Sequence, residues 1–432
     1  MTGLDREPTR TWRRHLGLLA GADYRRLWIG ETISQFGSQV SLLAIPFIAT
    51  VVLQASAFEV ALLGAVQFVP FVIFALPAGA WLDRMRRRPV LISGDMVRAV
   101  AMATIPLTWA LGMLTIWQLY LVGFVAGVAT VFFDVAYQSY LPVLVERDEL
   151  VEGNGKLQAS EAAAQVVGPA LGGGLIGLVG APMAVVADAL SYLASAAFVW
   201  RIAKQEPHPE EARRAAGLAR EPLRRQIAEG LSFVLRNPHL RAIAGATSSS
   251  NLFSNVLFAV LPVYLYRELG LSAATVGGAF GIGAIGALLG ALLASRIAAR
   301  AGLGPAIIGS IAMGGPGALL LPAAPHAAPV PWIVASVAVV SFTGVVYNIN
   351  QVSFRQAISP DAIQARMNAT MRFIVWGTIP LGAVLGGALA SATDVHTTIW
   401  IGSIGLCLPF LSVLLSPVRH LRSMPESAAA SS

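Results

Sequence analysis

Long apolar runs separated by short polar breaks dominate this chain. Runs of membrane-crossing length, about 20 residues, recur near 27–53, 58–82, 89–114, 116–141, 158–180 and 181–202. After one polar gap they resume near 239–266, 272–296, 304–324, 330–353, 366–392 and 396–416. The pattern predicts twelve transmembrane helices in two sets of six, an all-α polytopic membrane protein. The expected organisation is an arm at 1–25, a first bundle at 26–202, a linker at 203–238, a second bundle at 239–417 and a tail at 418–432.

Composition agrees. Of 432 residues, 56% are hydrophobic and 12% charged, against about 25% charged in a soluble domain. The net charge of +7 would raise nucleic acid as a partner in a soluble protein. Here the charges fall at the ends of apolar runs, so the expected partner is the lipid bilayer and not nucleic acid. The first 25 residues carry Arg6, Arg10, Arg13 and Arg14 without an apolar core or a small-residue cleavage site, so they read as a cytoplasmic arm and not a signal peptide.

The placement of positive charge tests the helix count. With the N-terminus inside, Arg84, Arg86, Arg87, Arg88, Arg147, Lys156, the 201–241 segment, Arg296, Arg300, Arg355, Arg366, Arg419 and Arg422 all fall inside. The outer connections QASAFE, GMLTI, GAP, RELGLS, PAAPHAAP and TDVHTT contain one basic residue, Arg267. An even number of helices with both termini cytoplasmic fits, in a multi-pass protein of the cell membrane.

Within the linker, Leu223, Ile227, Leu231 and Val234 are spaced to share one helical face. This predicts an amphipathic helix lying on the membrane surface or packed against the bundle. The two halves also resemble each other. A shift of 214 residues pairs Asn154 with Asn368, Gly168 with Gly382, Gly172–Gly173 with Gly386–Gly387, and Asp134 with Asn348.

Residues 79–89, GAWLDRMRRRP, place one acid and four arginines between two apolar runs. Gly79, Asp83, Arg84, Arg87 and Arg88 resemble the major facilitator signature between helices 2 and 3, Gly-x-x-x-Asp-Arg-x-Gly-Arg-Arg. Arg86 stands where that signature has its second glycine, and Pro89 can still start the next helix. The arginines alone would anchor topology. A carboxylate at a helix end can also pair with a facing arginine or with a helix N-terminus of the other bundle. The resemblance implies a cytoplasmic latch that helps hold an outward-open state. At the matching place the second half has only SRIAARAG, without the acid.

Residues 164–177, AQVVGPALGGGLIG, are similar to the helix 5 signature of the family's antiporters, through Gly168, Pro169, Gly172 and Gly173, with Ala164 replacing its first glycine. Small residues at i, i+4 bare one face for close helix approach, and packing alone is the competing explanation. ADYRRLWIGETISQFGSQVSLLAIPFIA (22–49), FFDVAYQSYLPVLV (132–145) and NGKLQASEAAAQVVGPALGGGL (154–175) resemble the twelve-helix drug:proton antiporter branch that includes macrolide and siderophore exporters. The resemblance implies two six-helix bundles, each of 3+3 inverted repeats, and export rather than import.

Ionisable residues inside apolar spans are costly and usually functional. Asp95 and Arg98, at i, i+3, can pair with each other. Asp134 lies roughly 8 Å from the middle of its helix at 1.5 Å per residue, and its repeat mate Asn348 is neutral. A buried carboxylate can exchange a proton near neutral pH, so Asp134 is the leading candidate for proton coupling, with Glu31, Glu161 and Asp188 as further candidates. Glu31, Glu161 and Arg372 also lie near enough to the inner helix ends to reach headgroups. Phe133, Tyr137, Asn348 and Trp376 are candidates for lining a substrate cavity, with Phe71 among the other span aromatics; core or lipid-facing packing is the competing explanation. Cys407, the only cysteine, lies in an apolar run, and no HExxH or clustered Cys/His occurs, so no metal site is expected. No GxxxxGK[ST] is present, so the expected energy source is an ion gradient. The expectation is a non-enzymatic, cofactor-free, monomeric transporter that exchanges protons for a hydrophobic or amphipathic small molecule. Metabolite uptake and a non-transporting receptor or scaffold are the alternatives.

Overall fold

The computed structural model describes residues 17–82, 85–146, 149–204, 206 and 223–423. The first half forms α1 (Ala22–Phe47), α2 (Ala57–Leu82), α3 (Arg87–Ala110), α4 (Ile116–Leu144), α5 (Leu150–Val179) and α6 (Ala181–Trp200). The linker contributes α7 (Leu223–Arg236). The second half forms α8 (Pro238–Val263), α9 (Ala273–Gly283), α10 (Ile285–Ala301), α11 (Leu303–Leu319), α12 (Pro329–Ile358), α13 (Asp361–Trp376), α14 (Thr378–Ala392), α15 (Val395–Gly405) and α16 (Phe410–Leu414). Among the described residues, eleven helical spans are long and apolar enough to cross a membrane. The 17-residue α11 completes the twelve. The protein is an all-helical, multi-pass membrane protein.

Three predicted helices of the second half are each broken once. The eighth parts at Ala284 into α9 and α10, the eleventh at Gly377 into α13 and α14, and the twelfth before Pro409 into α15 and α16. Local chemistry sets the helix starts. Asn237 accepts from His239 N (3.0 Å) and Leu240 N (3.2 Å) ahead of Pro238, and Asp394 accepts from Thr397 N at 2.8 Å. Both supply acceptors to otherwise orphaned N–H groups.

The two halves pack alike. In the first, α1 packs on α5 and α6, α3 on α4 and α6, and α2 on α4. In the second, the corresponding spans repeat these pairings. The repeat extends to backbone detail. Helix α1 ends in a π-helical turn at Ile48–Val52, and α8 ends in one at Tyr264–Glu268. Gln54 and Gly270 then take positive φ, 53° and 63°. These pairs are related by 216 residues, two more than the shift that aligns Asp134 with Asn348.

The side carrying α7 is here the linker side and the opposite one the far side. On the far side, one continuous cluster of buried apolar residues joins both bundles, from Val40 and Ile48 to Leu257 and Tyr264. On the linker side the apolar core divides. One cluster, around Tyr140 and Leu27, belongs to the first bundle; another, around Phe354 and Ile243, belongs to the second. The bundles therefore meet on the far side and part toward the linker.

Helix α7 packs on α13. Glu229 pairs with Arg366, and Gly230 lies against Thr370 and the backbone of Arg366. Val234 is fully buried, while Ile227 and Leu231 remain exposed. The amphipathic face thus docks in part on the second bundle.

Candidate functional site

The far-side seam is built from small residues. Gly168 and Gly172 face α1: a Cβ at Gly168 would stand 2.5 Å from Gln39 Cβ, and one at Gly172 would stand 3.1 Å from Val40 Cα. Pro169 and Gly173 face α9 of the other bundle instead. A Cβ at Gly173 would meet Ala273 O, and one at Gly277 would meet Pro169 O. Gly387 of α14 lies against Phe58 and Ala61 of α2 in the symmetry-related contact. Close backbone approach of this kind needs glycine. The 164–177 motif therefore serves two partners, one within its bundle and one across the seam. Arg267 adds a polar tie. Its Nε and Nη2 donate to Thr50 O across the seam at 2.9 and 2.5 Å, joining the two π-helical turns.

Toward the linker side the separated bundles enclose a cavity of about 760 Å³. Its walls come from α2 and α4 of the first half and from α8, α12 and α13 of the second. Asn348 and Trp376 line it. Phe71 meets Trp376 edge to face across the cavity at 5.4 Å, and the Arg372 guanidinium lies 5.0 Å from the Trp376 ring. Arg372 is thus a cavity residue and does not serve as a headgroup anchor.

Phe133 and Tyr137 do not line this cavity. They stack on each other at 5.9 Å inside the first bundle, where the Phe133 ring lies 4.1 Å from the Arg98 guanidinium. Their face of α4 turns toward α3, which draws close at Gly94. This corrects the expectation that both would face substrate.

Arg98 is the centre of a buried polar cluster. It pairs with Asp95 at 2.5 Å, as the i, i+3 spacing predicted. Both side chains are buried, at 6% and 0% exposed. The Tyr192 ring lies 4.4 Å from the guanidinium. Asp188 lies on α6 beside Ser191 (3.3 Å) and Ser38 (3.5 Å), and Ser38 is 2.9 Å from Tyr192 OH. Glu31 accepts from Gln35 at 3.0 Å. Arg98 is within electrostatic reach of Glu31, Asp95, Asp134 and Asp188 together. Asp134 is half-buried and also feels Arg372 from the other bundle and Glu161 from α5. Glu161 itself accepts from Gln165 at 3.3 Å. Four carboxylates share one internal cation. Fully ionised, they would carry an excess of three negative charges, which low-dielectric surroundings penalise.

At the linker-side mouth, Arg87 and Arg88 bond to the end of α6 and to Glu206 at the start of the linker. Glu206 accepts from Arg87 N (2.7 Å) and Arg88 N (3.3 Å) and pairs with Arg87 Nη1 at 2.9 Å. Arg88 Nε donates to Val199 O at 3.3 Å, and its Nη2 donates to Trp200 O. A carboxylate here neutralises the exposed N–H groups at the start of α3. Gly79 lies in the last turn of α2. Asp83 and Arg84 lie outside the described residues.

Two related bundles, a seam on one side and a polar cavity open to the other define a membrane transporter. The chain belongs to the Major Facilitator Superfamily, whose family model matches residues 27–379 and 243–431. It is 29% identical over 416 residues to the multidrug efflux pump Tap of Mycobacterium bovis, covering 90% of this chain and 93% of that protein. It is 26% identical over 145 residues to macrolide efflux protein A of Streptococcus pyogenes, covering 34% of this chain and 36% of that one. The fold matches an inward-facing bacterial homologue of the iron transporter ferroportin with a TM-score of 0.70 at 17% identity, covering 91% of this chain and 98% of that one.

Proposed function

We propose that this transporter is a proton-coupled exporter of hydrophobic or amphipathic small molecules that works by alternating access, with the linker side and both termini in the cytoplasm. One observation carries the reading. Asp134, next to cavity-lining Val135 on α4, is within electrostatic reach both of Arg98 inside the first bundle and of Arg372 in the opposite bundle. Gain or loss of a proton at Asp134 changes the charge balance between the bundles. It therefore biases which face is open, since a ligand shifts a conformational equilibrium only through its differential interaction with the two states. The efflux activity named for the relatives supplies the direction, and the inner placement of nearly every basic loop supplies the orientation.

In the described conformation, substrate enters the cavity from the cytoplasm while the glycine seam and Arg267 close the far side. Release then needs the seam to part and the linker side to close, where Asp83 would engage its partner. Proteoliposomes with imposed pH gradients test the direction. An amphipathic drug should move against the proton flow and reverse when the gradient is inverted. Movement with the protons would show uptake instead.

A further inference from the structure

We infer that the cavity selects amphipathic molecules bearing an anionic oxygen group, such as a carboxylate or sulfonate, which Arg355 and Arg372 hold while Phe71 and Trp376 cover the apolar body. The inference rests on reading this cavity as the substrate site; it does not depend on transport direction or on proton coupling.

Charge asymmetry is the first support. The residues lining the cavity include two guanidiniums and no carboxylate among the described residues, and Asp134 reaches Arg372 electrostatically only from outside that lining. Both arginines come from the second bundle, Arg355 from α12 and Arg372 from α13. The second support is an unmet hydrogen bond. Arg355 Nε is buried and has no partner among the described residues, and Arg355 forms no ion pair with any described carboxylate. Its electrostatic neighbour is the phenol of Tyr347, itself bonded to Thr247 at 2.7 Å. A buried polar group without a partner is costly, and a guanidinium matches the bidentate geometry of an oxyanion.

The apolar half of the ligand site lies beside these charges. Trp376 carries Arg372 over its ring and meets Phe71 from the first bundle. An aromatic or fused-ring body can occupy this angle while its acidic group reaches the guanidiniums. Asn348 and Asn368 add neutral polar contacts that tolerate varied substituents. A cation in the same place would face two like charges in a partly desolvated site. The arginines also differ from ordinary topology anchors, which hold their heads in water or among headgroups; Arg355 instead lines the gap between the bundles with its Nε buried.

Three probes of nearly equal shape separate charge from hydrophobicity: pyrenebutyrate, pyrenebutanol and pyrenebutylamine. Their binding to the full-length protein in lipid nanodiscs is read by energy transfer from tryptophan to pyrene, with protein-free nanodiscs as the blank. Pyrenebutyrate should bind about tenfold tighter than pyrenebutanol, the size expected of one charge-assisted hydrogen bond, and pyrenebutylamine should bind weakest. Arg355→Ala and Arg372→Ala should each bring pyrenebutyrate close to pyrenebutanol and leave pyrenebutanol nearly unchanged, while Arg355→Lys keeps part of the preference. If a variant does not fold, the wild-type comparison still decides. Equal binding of acid and alcohol, or tighter binding of the amine, overturns the charge assignment alone. Absence of binding by all three probes overturns the reading of the cavity as a substrate site as well.

Discussion

Arg98 is the residue on which the interior of the first bundle depends. It pairs with Asp95, is within electrostatic reach of Glu31, Asp134 and Asp188, and has the Phe133 and Tyr192 rings 4.1 and 4.4 Å from its guanidinium. Removing one member of a buried ion pair leaves an uncompensated charge, at a cost of about 3–5 kcal/mol. Arg98→Ala should therefore lower the thermal unfolding midpoint of the purified protein markedly, with Arg98→Lys intermediate. An unchanged midpoint would show that the acids do not need this cation. The Asp95–Arg98 pair was legible from spacing alone, because i, i+3 neighbours meet on any helix. The approach of Asp188, Glu31 and Asp134 to the same guanidinium was not, since it depends on how α1, α4 and α6 turn against α3. For the same reason Phe133 and Tyr137 could not be told from Trp376 as cavity aromatics.

At the scale of elements, the seam depends on glycines that let backbones touch. Gly173 and Gly277 sit where any Cβ meets a carbonyl oxygen of the opposite bundle, and backbone cannot yield as a flexible side chain does. Gly277→Val should pry the seam open. A cysteine placed at Val72, in the cavity lining, with Cys407 replaced by serine, should then react faster with a membrane-impermeant thiol reagent applied from the far side. Unchanged labelling together with normal transport would mean that the seam is not a gate. Arg267→Ala should act in the same direction more weakly, because it removes hydrogen bonds to Thr50 and leaves the packing. The bare face of 164–177 was visible in the sequence as a site of close approach. Which helix it approaches was not, and the structure divides it between α1 and α9. Arg267, the one basic residue in a predicted outer loop, proves to be a tie across the seam. The breaks at Ala284 and Gly377 fall at glycine-rich places, yet hydropathy alone reads straight through them.

The whole molecule is two copies of one six-helix plan, and its asymmetries carry the chemistry. The acid at Asp134 has a neutral counterpart in Asn348, while the cavity's arginines belong only to the second half. Twelve helices, the 203–238 linker and the repeat could be read from hydropathy and register, because the bilayer fixes helix length. The cavity could not, since it exists only in the packing of one bundle against the other. Glu206 left no trace either: in a linker rich in charge and proline nothing marks the one acid that caps α3. Two substitutions act at this scale. Asp83→Asn should impair turnover and leave membrane insertion intact, read as transport rate per inserted protein. Glu206→Gln should weaken the linker-side clamp on Arg87 and raise the protease sensitivity of the linker. The central claim, that a proton on Asp134 is exchanged for substrate, is tested most directly by comparing wild type with Asp134→Asn in proteoliposomes for two activities. Counterflow needs only alternating access, whereas accumulation driven by a pH gradient needs coupling. Asp134→Asn should retain counterflow and lose gradient-driven accumulation. Accumulation at the wild-type rate in Asp134→Asn would contradict it.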